Sequence, residues 1–287
     1  MKKIIIIAGV VGTAFSAILV RFADAPSTVL VFYRMLFSVL MLSPLAAVRH
    51  RTEFSNICLR DVGLCAVSGI FLGMHFFCYF QSLQYTSIAS SVVLVDTEVF
   101  FVALGGFFFL KEKVSGPGWA GILITFAGSV IVAFGDAGGG RILGDILALC
   151  GAVCSAVYTL IGRVCRRSMS TTVYTWIVYF CAGAVILPAA VFTGSQVVPC
   201  SVRNLAVAFG LAVLCTLLGH SIFSWGLKYE KSSFVSIVKL LEPVFASVMG
   251  ILLFQEIPSF SSVIGGIVVI AGIVLCILAN REEPGCS

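Results

Sequence analysis

Long apolar runs separated by short polar segments dominate the pattern of this 287-residue chain. An α-helix needs about 20 apolar residues to cross the hydrocarbon core of a bilayer. The chain holds ten runs of roughly that length. They cover residues 4–20, 28–48, 62–83, 88–110, 118–134, 143–161, 173–192, 205–227, 234–254 and 262–279. The links between them are mostly too short for a soluble domain. The pattern therefore predicts an all-α membrane protein with ten transmembrane helices.

The chain also repeats itself. Residues 83–128 align without a gap on residues 227–272, a shift of 144 positions. Identical pairs include Leu83/Leu227, Tyr85/Tyr229, Glu98/Glu242, Gly106/Gly250, Glu112/Glu256 and Gly128/Gly272. Because five spans is an odd number, the second half must enter the membrane from the opposite side. We predict a first five-helix repeat at residues 1–135, a Gly-rich linker at 136–142 and a second, inverted five-helix repeat at 143–281. A short C-terminal tail follows at residues 282–287.

Composition and charge agree with a membrane protein. The chain is 60% hydrophobic and 11% charged, whereas soluble domains are about 25% charged. With ten spans, 13 of the 18 Lys and Arg residues fall on one side and four on the other. Basic loops face the cytoplasm, so we predict both termini there, with the chain in the plasma or inner membrane. The net charge of +5 is then explained without nucleic acid, which we exclude as a partner.

The first span has one alternative interpretation. Lys2, Lys3, the apolar run and the Ala-Asp-Ala ending at Ala25 resemble a signal peptide with its cleavage site. Arg21 interrupts the end of that run, and cleavage would destroy the five-plus-five count. We therefore interpret the segment as helix 1.

Two carboxylates lie deep in predicted spans. Glu98 and Glu242 are equivalent in the repeat, and Glu242 lies roughly 13 Å into its helix, near the midplane. A charged group at this depth is costly unless it pairs, takes up a proton or faces water. We predict that both acids, together with Lys239, belong to a substrate or proton site. The alternatives are that Glu242 pairs with Lys239 one turn earlier, and that Glu98 is a structural acid held by Arg34 or by hydroxyls.

Four further polar residues are candidates for the same site. Asp96 lies two residues from Glu98 and points to a different face of the helix. Arg34 either clamps a substrate carboxylate with its planar fork or reaches to the membrane interface. His75 and His220 are nearly equivalent in the repeat and are either a proton relay or packing residues.

Two aromatic residues complete the set of candidates. Trp176 and Tyr158 lie in the seventh and sixth predicted spans and are suited to lining a cavity. The alternative for each is anchoring at the membrane interface, where Trp and Tyr are enriched.

Two other pairs are interpreted as structural. Glu112 and Glu256 lie at the ends of helices 4 and 9, where an acid opposes the helix dipole and needs a compensating partner. Gly69 and Gly73 are spaced by four in helix 3, which predicts close approach of another helix.

Three motifs recur in the closing segment of each half. The second half has Leu241-Glu-Pro-Val-Phe245, Phe254-Gln-Glu256 and Ala271-Gly272. The first half has Asp96-Thr-Glu-Val-Phe100, Leu110-Lys-Glu112 and Ala127-Gly128. In their order and double occurrence these motifs resemble the drug/metabolite transporter superfamily, and within it the EamA-type ten-helix carriers. The resemblance covers nearly the whole chain and implies a secondary carrier, often an exporter of amino acids or other small metabolites.

One position departs from the family pattern. A proline commonly follows the glutamate, as Pro243 does in the second half, but Val99 stands there in the first. Since proline removes a helical hydrogen bond, we expect a hinge at Pro243 in helix 9 and no corresponding break in helix 4.

Competing functions find less support. The chain lacks H-E-x-x-H, G-x-S-x-G and ATP-binding motifs, so we predict neither an enzyme nor a cofactor. The eleven cysteines form no C-x-x-C pair and are interpreted as packing residues. A sensor or structural membrane protein, or a membrane-embedded enzyme, remains the alternative. We predict alternating access driven by a gradient, with the proton as coupling ion, in a monomer or homodimer.

Overall fold

The computed structural model describes residues 2–112, 114–135, 141–198, 200–239 and 241–279. Within these ranges the chain forms helices and short connections, with no strand. The helices are α1 (Lys2–Arg21), α2 (Ser27–Arg49), α3 (Arg51–Asn56), α4 (Leu59–Ser82), α5 (Ile88–Val95), α6 (Glu98–Leu110), α7 (Gly116–Gly135), α8 (Arg141–Cys165), α9 (Thr171–Phe192), α10 (Val202–Gly210), α11 (Ser221–Gly226), α12 (Ser232–Lys239), α13 (Glu242–Phe254) and α14 (Phe260–Ala279). A π-helical segment, Leu211–His220, joins α10 to α11. Residues 136–140 of the predicted linker and the tail at 282–287 lie outside the described residues.

Seven helical stretches of the described chain are long and apolar enough to cross a membrane. They are Lys2–Arg21, Ser27–Arg49, Leu59–Ser82, Ile88–Leu110, Ile142–Cys165, Thr171–Phe192 and Val202–Gly226. Each coincides with a predicted span. The helices α7, α13 and α14 are apolar as well. The described residues therefore form an all-helical bundle with the length and composition of membrane spans.

Two helical stretches break at equivalent positions of the repeat. The first break separates α5, which ends at Val95, from α6, which begins at Glu98. The second separates α12, which ends at Lys239, from α13, which begins at Glu242. Each break thus falls immediately before one of the paired glutamates.

The expectation that helix 4 stays unbroken is wrong. It rested on Val99 standing in place of a proline, but the structure shows that the break needs no proline. At the break the Thr97 hydroxyl donates to the carbonyl of Leu94 at 2.7 Å, which satisfies an acceptor at the end of α5. Pro243 lies in the first turn of α13, where its missing N–H removes no intrahelical hydrogen bond.

Close approach of helices α4 and α9 confirms the prediction for Gly69 and Gly73. A Cβ atom at Gly69 would lie 2.5 Å from the carbonyl oxygen of Val178, and one at Gly73 would lie 3.1 Å from that of Ala182. Only glycine lets the two backbones pack this tightly at Gly69.

Helices α7 and α14 cross in a similar way, through equivalent glycines of the two halves. A Cβ at Gly128 would lie 2.7 Å from the Gly265 carbonyl oxygen, and one at Gly272 would lie 2.6 Å from that of Gly121. Gly121 and Gly128 of the first half are equivalent in the repeat to Gly265 and Gly272 of the second, so the contact between α7 and α14 uses the same two positions of each half.

The first helix is packed into the bundle. Ile6, Val10 and Ala17 of α1 are buried in the hydrophobic core, and a Cβ at Gly12 would lie 2.5 Å from the carbonyl oxygen of Leu214 in the π-helical segment. The π-helical segment and the second broken stretch, α12 with α13, pack against α1.

Candidate functional site

A small polar cavity of about 30 Å³ lies beside the two helix breaks. A space of this size holds about two water molecules. Its walls are formed by Thr13, Ser16, His75, Phe76, Tyr79, Val92, Val95, Asp96, Glu98, Ser155, Cys215, His220, Phe223, Lys239 and Glu242. The predicted site residues in these walls are Glu242, Glu98, Lys239, His75, His220 and Asp96; Arg34, Trp176 and Tyr158 are not among the lining residues.

The breaks place charged side chains at ends of helices. Glu98 is the first residue of α6 and Glu242 the first residue of α13, where the positive end of a helix dipole stabilises an anion. Lys239 is the last residue of α12, where the negative end stabilises a cation. A break in mid-span thus provides backbone partial charges for groups that lipid would exclude.

Lys239 and Glu98 form a buried ion pair. The Lys239 Nζ lies 2.6 Å from the Glu98 Oε1, and the two side chains are 6% and 3% exposed. The alternative that Lys239 pairs with Glu242 is not found among the described residues, because Lys239 pairs with Glu98. Glu98 is held in place, as its own alternative proposed, but by Lys239 and not by Arg34. The pair instead connects the second half of the chain to the first.

Glu242 and Asp96 form none of the ion pairs found among the described residues, and the Glu242 carboxylate is hydrogen-bonded to the side chain of Thr13. Glu242 is partly exposed at the cavity wall, and the nearest lysine in sequence is already paired with Glu98. Asp96 is buried, and its Oδ2 has no hydrogen-bond partner among the described residues. The cavity therefore offers acceptor oxygens that a proton or an ammonium group can satisfy.

The rings of His75 and His220 lie edge to face in the cavity wall. Their ring centroids are 6.1 Å apart. Because a carbonyl oxygen only accepts, the 3.0 Å contact from His75 Nδ1 to the Gly151 carbonyl assigns a proton to that nitrogen. The Nδ1 atom of His220 is buried without a hydrogen-bond partner in the described part of the chain.

Arg34 lies behind the cavity wall. It is fully buried, and its Nε donates to the Thr216 hydroxyl at 2.7 Å. Its guanidinium carbon lies 3.8 Å from the ring centroid of Phe76, and Phe76 lines the cavity. Thr216 belongs to the π-helical segment, a form that often occurs at functional sites. Arg34 therefore supports the wall from behind in this conformation.

Trp176 and Tyr158 make contacts away from the lining surface. The Trp176 Nε1 donates to the Ser43 hydroxyl at 3.0 Å, and its ring stacks on Phe180. The Tyr158 hydroxyl hydrogen-bonds to that of Ser224 at 2.8 Å. Sequence reasoning missed the lining residues Thr13, Ser16 and Ser155, because small hydroxyl residues are common throughout apolar helices and the repeat does not single them out.

A second polar cluster lies in the connections between spans. The Glu53 carboxylate accepts a hydrogen bond from the Ser170 amide at 2.6 Å and contacts His50 Nδ1 at 3.0 Å. Partial burial by itself raises the pKa of Glu53, but the hydrogen bonds from Ser170 and His50 hold that pKa below its ordinary value of 4.5. Glu53 thereby ties α3 to the start of α9.

An all-helical membrane bundle with a charged cavity at two broken helices has the organisation of a membrane transporter. Comparison with known proteins specifies the class further. The EamA-like transporter family matches the chain twice, over residues 2–134 and 142–278. The chain belongs to this family and is an integral membrane protein.

Individual relatives agree with this membership. The chain is 27% identical to a transporter of Archaeoglobus fulgidus over 252 residues, which cover 86% of each protein. It is 23% identical to the pseudopaline exporter CntI of Pseudomonas aeruginosa over 291 residues, which cover 99% of this chain and 98% of the exporter. A crystal structure with 18% sequence identity has the same fold, with a TM-score of 0.73 over 99% of both chains. The family and the two named relatives are transporters, which supports a transporter of small molecules.

Proposed function

We propose that the protein is a secondary carrier that exports a small metabolite, such as an amino acid, by alternating access around the polar cavity. The observation that carries this proposal is the pair of helix breaks at equivalent positions, each placing a glutamate at the cavity. Broken helices at mid-membrane are how carriers present backbone and side-chain polarity to a ligand. Export is favoured by the likeness to an exporter over nearly the whole chain.

The proposal includes ten spans in two inverted halves. Its support is the correspondence of helix limits, since α5, α6 and α7 recur as α12, α13 and α14 at a constant shift along the chain. The charge distribution favours both termini in the cytoplasm. Fusions of green fluorescent protein and of alkaline phosphatase to the C-terminus test the orientation: we expect fluorescence from the first and no activity from the second, and the reverse result would contradict it.

Proton coupling is assigned to Glu242. Of the two equivalent glutamates, Glu98 is neutralised by Lys239 at 2.6 Å, whereas Glu242 lies at the cavity wall with a hydrogen bond to Thr13 and no cation paired with it among the described residues. A carboxylate that faces a small cavity can bind either a proton or the substrate. Binding of the substrate can then release the proton to one side of the membrane. His75 and His220 lie beside the same cavity and offer a route for the proton.

The experiment uses the purified protein in liposomes with a mixture of amino acids, bases, sugars and amines and an imposed proton gradient, and mass spectrometry identifies what crosses. We expect gradient-driven transport by the wild type and by Asp24→Asn, which removes an exposed acid. We expect Glu242→Gln to lose the dependence on the gradient. Full gradient-driven transport by Glu242→Gln would contradict the coupling role. Failure of every amino acid, base, sugar and amine to cross with folded wild-type protein would favour the sensor or enzyme alternatives.

A further inference from the structure

The equivalent acids Glu112 and Glu256 each cap a helix of the opposite half. The Glu256 Oε2 accepts a hydrogen bond from the amide of Ile88, the first residue of α5, at 3.2 Å. The Glu112 Oε2 accepts from the hydroxyl of Ser232, the first residue of α12, at 2.7 Å. Ile88 and Ser232 are themselves equivalent in the repeat. The two contacts therefore obey the same internal symmetry as the helix breaks.

An arginine completes each contact. Arg21, the last residue of α1, lies 3.1 Å from the Glu256 Oε1 through its Nη2 and also donates to the carbonyl of Thr86. Each acid is thereby tied to a helix end of the other half and to the end of a third helix. We name this first set, Arg21 with Glu256 and Ile88, the first latch.

The second latch consists of Arg163 with Glu112 and Ser232. Arg163 Nε lies 3.4 Å from the Glu112 Oε1, and its Nη1 donates to the carbonyl of Leu227 in the turn before α12. Arg163 is near the end of α8, as Arg21 is at the end of α1. The four charged side chains of the two latches are only 9–29% exposed.

The latches lie at opposite ends of one membrane span. The stretch Ile88–Leu110 is a single candidate span; Ile88 belongs to the first latch, and Glu112 of the second follows its last residue. At 1.5 Å per residue the two ends are roughly 34 Å apart. The helix break and the polar cavity lie between them. A cavity with room for about two waters has a closed latch on either side.

The latches are also unequal. The second has a serine hydroxyl as an additional donor, whereas its counterpart Ile88 offers only a backbone amide. The second is more buried, with side chains 18% and 9% exposed against 29% and 29% in the first. Hydrogen bonds to a charged group strengthen as water is excluded, so the first latch is the weaker of the two.

We propose that the two latches are the gates of the carrier, and that opening one stabilises the closed state of the other. This inference rests on the proposed alternating access. Four residues would then control the side of the membrane to which the central site is open: Arg21, Glu256, Arg163 and Glu112. It also predicts that the first latch opens more readily in the absence of substrate.

Hydrogen–deuterium exchange of the full chain in lipid nanodiscs, without substrate, tests the gates. Arg21→Gln breaks the first ion pair and leaves the Glu256–Ile88 hydrogen bond in place. We expect amide exchange to become faster by about fivefold in peptides around residues 84–92 and slower by a similar factor around residues 228–236, because a two-state population shifts as a whole. Arg163→Gln should produce the mirror-image result.

Two controls separate a gate from a static cap. Arg203→Gln breaks the exposed pair with Asp24, near the first latch, and should change neither peptide. Arg21→Lys, which retains the charge without the planar fork, should give a smaller shift in the same direction and serves if Arg21→Gln does not fold. Acceleration at the mutated end alone, with no slowing at the opposite end, would overturn the proposal.

The outcome is independent of transport. Gradient-driven transport without reciprocal changes in amide exchange would contradict the gate proposal and support the carrier proposal. Reciprocal changes in amide exchange without transport of any tested compound would support coupling between the latches and contradict the carrier proposal.

Discussion

Lys239 and Glu98 hold the two halves of the chain together by a buried ion pair with an Nζ to Oε1 distance of 2.6 Å. Each residue stands at a helix end created by a break, the lysine closing α12 and the glutamate opening α6. The pair therefore links the two breaks through residues that lie 141 positions apart in the sequence.

Removal of one partner of this pair should destabilise the fold more than removal of both. Lys239→Met leaves Glu98 unpaired, and Glu98→Gln leaves Lys239 unpaired; either change is expected to cost about 3–5 kcal/mol. The double variant should recover most of that loss. The free energy of unfolding in detergent, from titration with sodium dodecyl sulfate, measures the coupling in a double-mutant cycle.

The exposed pair Arg203 and Asp24 is the matched control for this cycle. Its side chains are 57% and 71% exposed, so its coupling energy should be close to zero. Equal coupling in the two cycles would contradict a special role for the buried pair.

Gly69 and Gly63 lie in the same helix and should respond to alanine in opposite directions. At Gly69 a Cβ would lie 2.5 Å from the Val178 carbonyl oxygen, whereas nothing lies within 4 Å of a Cβ at Gly63. Gly69→Ala should cost about 1–3 kcal/mol through overpacking. Gly63→Ala should stabilise α4 by up to about 1 kcal/mol. Thermal unfolding in detergent measures both, and a stable Gly69→Ala variant would argue against the close contact of α4 with α9.

Thr216 supports Arg34 through its hydroxyl. That oxygen accepts from Arg34 Nε at 2.7 Å and donates to the Leu211 carbonyl at 3.1 Å within the π-helical segment. Thr216→Val leaves a buried guanidinium N–H without its acceptor, at a cost of about 1–3 kcal/mol. Thr216→Ser keeps the hydroxyl and should retain wild-type stability. Equal unfolding midpoints for the Val and Ser variants would show that the hydrogen bond contributes nothing.

Glu53 should make stability depend on acid pH. Its pKa is held below 4.5 by Ser170 and His50, so the folded state favours the carboxylate more than the unfolded state does. The stabilisation is fully present above about pH 4.5 and is lost as the pH falls through the lowered pKa. Unfolding of wild type and Glu53→Gln in detergent at pH 6 and pH 3.5 should show a difference that shrinks at the lower pH. A constant difference would exclude this origin.

Sequence reasoning predicted the helices well because their signal is local. Stretches such as Ile88–Leu110 and Thr171–Phe192 are apolar along their whole length, and lipid allows few other structures for such a sequence. The close glycine contact at Gly69 was also predictable, since spacing by four places both glycines on one helix face.

The organisation of the cavity was harder to predict because it depends on pairing between distant residues. Nothing in the neighbourhood of Lys239 indicates that it prefers Glu98 to Glu242, which is three positions away. The break before Glu98 was not predicted because no proline marks it. The Thr97 hydroxyl instead satisfies the Leu94 carbonyl at the end of α5, and a threonine by itself does not indicate a break. The partners of Glu112 and Glu256 could not be predicted from the sequence, because each acid hydrogen-bonds to the first residue of a helix in the other half of the chain.

The single lysine at the cavity has a consequence for how a duplicated protein diverges. Position 239 is lysine in one half, and its counterpart in the other is Val95. The two equivalent acids are therefore not interchangeable in this chain. The lysine of the second half neutralises the acid of the first half, so duplicated positions carry different charge states within one symmetric fold.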